Sequence, residues 1–390
     1  MTERDANILI ILGSITEGGA QKQATLLYAE LLSLGFTVSL ALMEPAKAYK
    51  DSFNKDTKFK IIESTLIKHY IPYFDPYFKL IIVRKNMFKV ILDCFQLMKF
   101  KRNKRKTFKH LLTEKYNILI PFSPPSCRLS IALGKVARDT HVFFNHRGGS
   151  KVIANSHIVK EAKKLNNRFH LLSNAQFSID LLKNHFRIST GIVLKNFVID
   201  KPVQVFKNKT KTILLHVANY FPEKDYQTFL LALAKLKKYE FAFEAHIYCR
   251  FYKKSHYKSF IESLADLDIL NEVVLFSSGE NPQESLSLAT MGILSTKSEG
   301  CSNTLIEYLQ YRLPIVTTNI PANRELLDKE YHEYLFEVGD VDALVYKIQS
   351  VVEDLSLKKH LSTLSDKSLS QFKNNNSFQN FVQYINLLHP

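Results

Sequence analysis

The sequence predicts an α/β protein made of two doubly wound, parallel-sheet domains of similar size. Three observations carry that expectation. Apolar stretches of strand length alternate with helix-period segments along most of the chain. The alternation breaks once, at the polar and basic stretch 200–210 (DKPVQVFKNKT), and then restarts. A length of 390 residues is enough for two domains that each bury a core. The expected boundaries are 1–200, 201–373, and a tail over 374–390 whose amphipathic segment SFQNFVQYINLL packs back toward the first domain.

In the first domain, Asn7–Gly13 reads as a strand, Ser14–Gly19 (SITEGG) as a loop, and AQKQATLLYAELLSLG as a helix stopped by Gly35. Phe36–Leu42 (FTVSLAL) is a second strand and completes a βαβ unit. The loop is not G-x-G-x-x-G. Gly18 and Gly19 still let a ligand approach the backbone at a helix start, and the same glycines also suit a simple turn. Residues 45–77 read as loops and short elements. Asn117–Phe122 is a buried-type strand, followed by the loop Ser123–Cys127 (SPPSC) and a helix Arg128–Ala137. Thr140–Asn145 is the next strand and runs into His146-Arg147-Gly148-Gly149, a polar cluster at a strand C-terminus, where ligands bind in open α/β sheets. Phe169–Ser173 and Gly191–Val198 read as strands with a helix Ala175–His185 between them. In the second domain the strands are Lys211–Ala218, Phe241–Cys249, Glu272–Phe276, Met291–Ser295 and Pro314–Thr318. Helices fall at Tyr226–Lys238, Ser255–Ala265 and Pro282–Ala289.

Composition separates the two halves. Of the net charge of +16, residues 1–200 carry 32 Lys and Arg against 15 Asp and Glu, while residues 201–390 carry 21 against 22. The first domain therefore faces something anionic. The excess concentrates in 78–115, where 12 Lys and Arg oppose only Asp93 and Glu114 and are interleaved with Phe, Leu, Ile and Val. Basic and apolar residues mixed at helical spacing suit an anionic membrane surface. A solvated face is the plain alternative, and Lys101–Lys106 (KRNKRK) is also compatible with nucleic acid, although no nucleic-acid module accompanies it. Cys94, Cys127, Cys249 and Cys301 are scattered, without metal-ligand or disulfide-framework spacing, as in a reduced cytosolic protein. The apolar run Ile8–Leu12 is too short for a signal peptide, and no stretch is long enough to span a membrane.

The most informative stretch is Ser298–Leu327 (SEGCSNTLIEYLQYRLPIVTTNIPANRELL). A polar, glycine-bearing loop opens a helix whose first N–H groups suit a phosphate. Glu299 and Glu307 bracket that junction, and carboxylates suit hydroxyl groups. Phosphate and hydroxyls together describe a nucleotide or nucleotide sugar. Thr304 and Glu307 also have the spacing of a capping box, so the pair by itself is equally compatible with a purely structural role.

Four separated places resemble the retaining GT-B glycosyltransferases with the E-x7-E signature, the glycosyl transferases of group 1. They are Gly18-Gly19-Ala20-Gln21; His216-Val217-Ala218-Asn219 with Pro222-Glu223-Lys224-Asp225; Ser298-Glu299-Gly300 through Glu307 and on to Leu313–Thr318; and Asn323-Arg324-Glu325. The resemblance implies a GT-B fold, two Rossmann-like domains facing a cleft, with the acceptor on the first and a nucleotide-sugar donor on the second. It implies that Glu299 contacts hydroxyls of the donor sugar and Glu307 the ribose. Backbone N–H groups around Gly300, Cys301, Ser302, Asn303 and Thr304 would take the diphosphate. Lys224 would neutralise it as it leaves, and Gly18 and Gly19 would approach it from the first domain. His146 is the candidate for the family histidine near the donor sugar, with a satisfied polar cluster as its alternative. Asn219 stands where the family carries an arginine, which makes Arg147 a possible additional phosphate contact, and Cys301 replaces a frequent aromatic.

The implied activity is transfer of a hexosyl or N-acetylhexosaminyl unit to a glycan or lipid-linked acceptor, in bacterial surface-polysaccharide synthesis, on the cytoplasmic face of the membrane. No cofactor or metal is expected, and a UDP-sugar is the favoured donor. A GT-B nucleotide-sugar epimerase and a non-catalytic nucleotide-sugar or nucleic-acid binder are the rival readings.

Overall fold

The computed structural model describes residues 4–12, 18–42, 61–63, 113–149, 154, 156–199, 211–276 and 280–388. The basic segment 78–115 lies outside these, apart from its last three residues, and so does the stretch 200–210.

Strands β1 (Arg4–Leu12), β2 (Phe36–Leu42), β3 (Ile61–Glu63), β4 (Ile118–Pro121), β5 (His141–His146), β6 (Phe169–Ser173) and β7 (Ile192–Val193) form one sheet in the order 3-2-1-4-5-6-7. All of its pairings are parallel. Helices α1 (Gly19–Ser33), α2 (Pro124–Gly134), α3 (Ser156–Lys163) and α4 (Gln176–Phe186) connect these strands. The second sheet holds β8 (Ile213–Val217), β9 (Glu244–Tyr248), β10 (Val273–Phe276), β11 (Met291–Leu294) and β12 (Ile315–Thr317), again all parallel, in the order 10-9-8-11-12. Its helices are α5 (Tyr226–Lys238), α6 (Lys254–Asp266), α7 (Gln283–Leu288), α8 (Asn303–Gln310), α9 (Pro321–Leu326), α10 (Val341–Glu353) and α11 (Leu355–Lys373).

The apolar runs of the sequence become strands buried on both faces, as helices on either side of a parallel sheet require. In β1 the faces alternate. Leu9 and Ile11 pack with Phe144, Leu171, Leu182 and Phe186. Ile8 and Ile10 pack with Leu27 and Leu31 of α1. The second sheet has one continuous core that includes Leu215, Ile293, Phe229, Leu309 and Phe336. After α11 the chain returns, and α12 (Ser377–Leu388) lies on the first sheet. Phe381 and Ile385 are fully buried there, Phe381 sits 5.8 Å from Phe143, and Tyr384 Oη and His170 Nδ1 share a hydrogen bond of 2.8 Å.

Two elements differ from the sequence reading. The SPPSC stretch is the start of α2 rather than a loop: Ser123 and Ser126 form a reciprocal capping box, and Pro124 sits at the first helical position, where its missing N–H costs nothing. The expected strand Gly191–Val198 pairs only over Ile192–Val193. Leu194 N still donates to Ser173 O of β6 (2.7 Å), and after it the backbone bonds to side chains: Lys195 N donates to Ser377 Oγ (3.1 Å) and Phe197 N to Gln23 Oε1 (2.6 Å). No described helix is long and apolar enough to cross a membrane.

Candidate active site

In each sheet the strand order reverses direction at one place, between β1 and β4 and between β8 and β11. The loops that follow these strands diverge there and leave a crevice at the strand C-termini. The two crevices face each other. Together they enclose a cavity of ≈ 360 Å³, within the roughly 300–1,000 Å³ of small-molecule sites. Its lining comes from both domains and includes Gly18, Gly19, Arg147 and Asn196 on one side and Asn219, Lys224, Glu299 and the start of α8 on the other.

The second-domain wall is built by loops pinned to strand ends. Asp225 adopts a left-handed conformation (φ 43°), which Asp tolerates better than most residues. Its carboxylate is held by Thr228 Oγ1 (2.7 Å) and by Lys297 Nζ (3.0 Å). Thr296 Oγ1 and Lys297 N both donate to Glu223 O, at 2.9 and 2.8 Å. These bonds lock the 222–225 turn to the loop after β11 and set Lys224 Nζ against Glu299 Oε1 as an ion pair. Helix α8 is fixed to β8 from two positions. Thr304 Oγ1 donates to Val217 O (2.9 Å), while Tyr308 Oη accepts from Val217 N (3.0 Å) and donates to Leu215 O (3.0 Å). Tyr308 lies flat on Gly292, where an added Cβ would stand 2.3 Å from its ring. The N-terminus of α8 consequently opens into the cavity, with Asn303 and Thr304 in its lining.

The first domain meets this wall backbone to backbone. A Cβ on Gly149 would lie 2.7 Å from Glu299 N, and one on Gly300 2.8 Å from Arg147 O. Only glycine permits these two loops to interlock. Gly19 approaches Asn303, whose Nδ2 would be 2.4 Å from an added Cβ. Arg147 is half-buried over the Phe122 ring (5.0 Å) and donates to Asn196 Oδ1. Burial lowers its pKa to about 10. His146 Nε2 donates to Gly149 O (3.0 Å), and burial pulls its pKa below the ordinary value.

Of the expected site residues, Gly18, Gly19, Arg147, Asn219, Lys224, Glu299, Cys301, Ser302, Asn303 and Thr304 converge on the cavity. His146, Gly300 and Glu307 stand behind or beside it. Glu307 lines a small adjoining recess of ≈ 60 Å³ with Asn281, Pro282 and Tyr311, and pairs with Lys22 of α1 at 2.9 Å. The Thr304–Glu307 capping box is not made. Ser302 caps the helix by accepting from Leu305 N (3.3 Å), because Thr304 is engaged with β8 and Glu307 with Lys22. Burial pushes the Cys301 thiol up to about 12.

Sequence reasoning missed the residues that join the domains: Lys22, Gln23, Asn174 and Asn196. It also missed what Glu325 does. The carboxylate of Glu325 accepts from Gln176 N (2.8 Å to each oxygen) and from Phe177 N (3.3 Å). It thereby caps α4, a helix of the other domain whose own N-cap residue, Ala175, has no side-chain acceptor. An uncapped helix start was legible in the sequence, but its partner 149 residues away was not.

Two parallel βα sheets facing a cleft define a GT-B fold, and solved structures share it. A glycosyltransferase from Rickettsia africae ESF-5 is 16% identical, with a TM-score of 0.69 over 99% of this chain and 100% of that one. Anabaena HepE in complex with UDP-glucose is 14% identical, with a TM-score of 0.69 over 93% and 94% of the two chains. A mutant of S. aureus TarM in complex with fondaparinux, alpha-GlcNAc-glycerol and UDP is 18% identical, with a TM-score of 0.55 over 70% of this chain. Of that protein's chain the match covers 55%. A search of curated proteins finds no match. Residues 199–367, essentially the second domain, match the family model described as Glycosyl transferases group 1.

Proposed function

We propose that the protein is a retaining glycosyltransferase that moves a sugar from a UDP-sugar to a glycan or lipid-linked acceptor in the synthesis of bacterial surface polysaccharide. The observation that carries this reading is the Lys224–Glu299 pair held in front of the α8 N-terminus, at the contact of the two domains. A cation and free N–H dipoles serve a departing diphosphate, and a carboxylate beside them serves sugar hydroxyls. The solved structures of HepE with UDP-glucose and of TarM with UDP support uridine as the nucleoside of the donor.

In this mechanism the diphosphate lies across the N–H groups of Cys301–Thr304, with Lys224 and Arg147 supplying positive charge and Gly18 and Gly19 close behind it. Glu299 orients the donor sugar, and Glu307, in the adjoining recess, receives the ribose. His146 stands behind the interlocked glycine loops at the sugar end. The acceptor attacks from the face that the diphosphate leaves, and a donor phosphate oxygen assists its deprotonation. Leaving-group charge is met by the protein's own cations and helix dipole, without a metal. The first domain receives the acceptor, and the basic, apolar segment 78–115 docks the enzyme on the anionic inner face of the membrane.

A thermal-shift panel of UDP-, GDP- and ADP-sugars tests the donor assignment. Stabilisation by UDP-sugars alone is expected, since a ligand that binds only the folded state raises Tm by simple linkage. No shift with any of them would sink the reading. Flotation with anionic liposomes, before and after neutralising Lys101–Lys106, tests the docking segment. Equal binding of both forms would refute that role.

A further inference from the structure

Asn196 lies on the stretch that leaves β7 and is 5% exposed. All four positions of its amide are engaged. Oδ1 accepts from Arg147 Nη2 and from Asn174 Nδ2 (3.3 Å). Nδ2 donates to Cys301 O (3.0 Å) and to Asn303 Oδ1 (2.8 Å). The first pair of partners belongs to the first domain and the second pair to the loop that opens α8. One side chain thus ties a first-domain cation to the second-domain anion site.

The cation has an unusual setting. Among the described residues Arg147 pairs with no carboxylate, whereas Lys224 pairs with Glu299 and Lys22 with Glu307. Even partial withdrawal of a guanidinium from water without an anion is costly, and the fold keeps Arg147 in the cavity lining with its Cζ 5.0 Å from the Phe122 ring centre. Across the cavity Asn219, which brings no charge, stands where a second cation was expected.

We propose that Arg147 is the first domain's cation for the donor diphosphate, and that Asn196 is the positioning residue that presents it when the two domains are closed. This deepens the donor-site reading above and rests on it. The Nδ2 bonds exist only while Cys301 and Asn303 are within reach. When the domains part, the amide loses both acceptors and is free to rotate, and the guanidinium loses the support that aims it. Domain closure and completion of the anion site are then one event, reported by a neutral side chain.

Calorimetric titration of the full chain with inorganic pyrophosphate and with UDP tests this. Arg147→Ala is expected to weaken both about 10- to 100-fold, as loss of a charge-assisted hydrogen bond does. Asn196→Ala should weaken them by a similar factor, and the double variant should be no worse than Arg147→Ala, because the two act as a unit. Asn196→Asp should lose more than Asn196→Ala, since its carboxylate neutralises Arg147 and faces two acceptor oxygens. Arg147→Lys should recover part of the affinity. Millimolar guanidinium should restore UDP binding to Arg147→Ala but not to the double variant, an effect that a merely structural Asn196 would not produce. Pyrophosphate affinity within threefold of wild type in Arg147→Ala, or additive losses in the double variant, would overturn the proposal while leaving nucleotide binding in place. A wild-type chain that binds none of UDP, GDP, ADP and pyrophosphate would overturn the donor site and this proposal together. If Asn196→Ala fails to fold, the Arg147 variants and guanidinium rescue still decide.

Discussion

The two domains share a parallel topology but hold their sides of the cleft in different ways. In the second, the cleft-facing groups are tied to their own domain: Lys224 to Glu299, Thr304 to Val217, and the 222–225 turn to Thr296 and Lys297. In the first, the corresponding groups reach across. Lys22 goes to Glu307, Gln23 and Asn196 go to Asn303, and the free end of α4 receives Glu325. The second wall is therefore assembled before the domains meet, and the first is completed by the meeting. A cleft of this kind is preorganised on one side and assembled by contact on the other.

This difference can be broken from either side. The largest effect is expected at the packing of the first domain. Phe381→Ala empties a fully buried position under the first sheet and should cost about 3–5 kcal/mol in urea unfolding. Equal stability of the variant would show that α12 is not part of that core. Next comes the preassembled wall. Lys224→Ala and Glu299→Ala should each lower transfer by about 10²–10³-fold with unchanged circular dichroism, in line with the loss of one preorganised electrostatic group. Retained turnover in both would remove the donor function from this wall.

A third test uses pH. His216 is fully buried in the second domain, stacked on Phe229 at 4.5 Å, and neither ring nitrogen has a partner. Burial lowers its pKa from 6.5 to about 3. Between those values the unfolded chain binds a proton that the folded domain refuses, so the contribution is full above about 6.5 and falls on acidification. His216→Leu should flatten the urea-midpoint profile in that window and match or exceed wild-type stability at neutral pH, because it removes two unsatisfied polar atoms. A variant that keeps the wild-type slope would point to other groups. The smallest effects belong to the crossing contacts. Glu325→Ala removes a helix cap worth about 0.5–2 kcal/mol, and Lys22→Ala a half-buried ion pair worth about 1 kcal/mol. Both should leave UDP affinity of the second domain nearly intact while raising protease sensitivity near α4 and α1. A loss of UDP binding as large as that of Lys224→Ala would erase the distinction between the two walls.

What the sequence disclosed follows the same division. Both sheets could be read from apolar runs and helix periods, because strands buried on two faces write their burial directly into composition. The second-domain wall of the cleft was legible because its parts are local: Lys224 sits in one turn, and Glu299 through Thr304 in one loop and helix start. Asn196 was not legible, since a lone Asn in KNFV has no period or spacing, and its value lies in partners 49, 105 and 107 residues away. Glu307 was read as the second carboxylate after Glu299, with a capping box from Thr304 as the alternative, and its bond to Lys22 decides where it points. The two prolines of SPPSC suggested a break, although proline after a serine cap begins a helix as readily as it ends one.

The return of α12 to the first sheet has a mechanical consequence. The chain comes back from the second domain to the first between α11 and α12. Lys195 N donates to Ser377 Oγ at 3.1 Å, so the first residue of the returning helix is stitched to the stretch that follows β7. The last helix is thereby a clasp: it follows the second domain in the chain and belongs to the first by its packing.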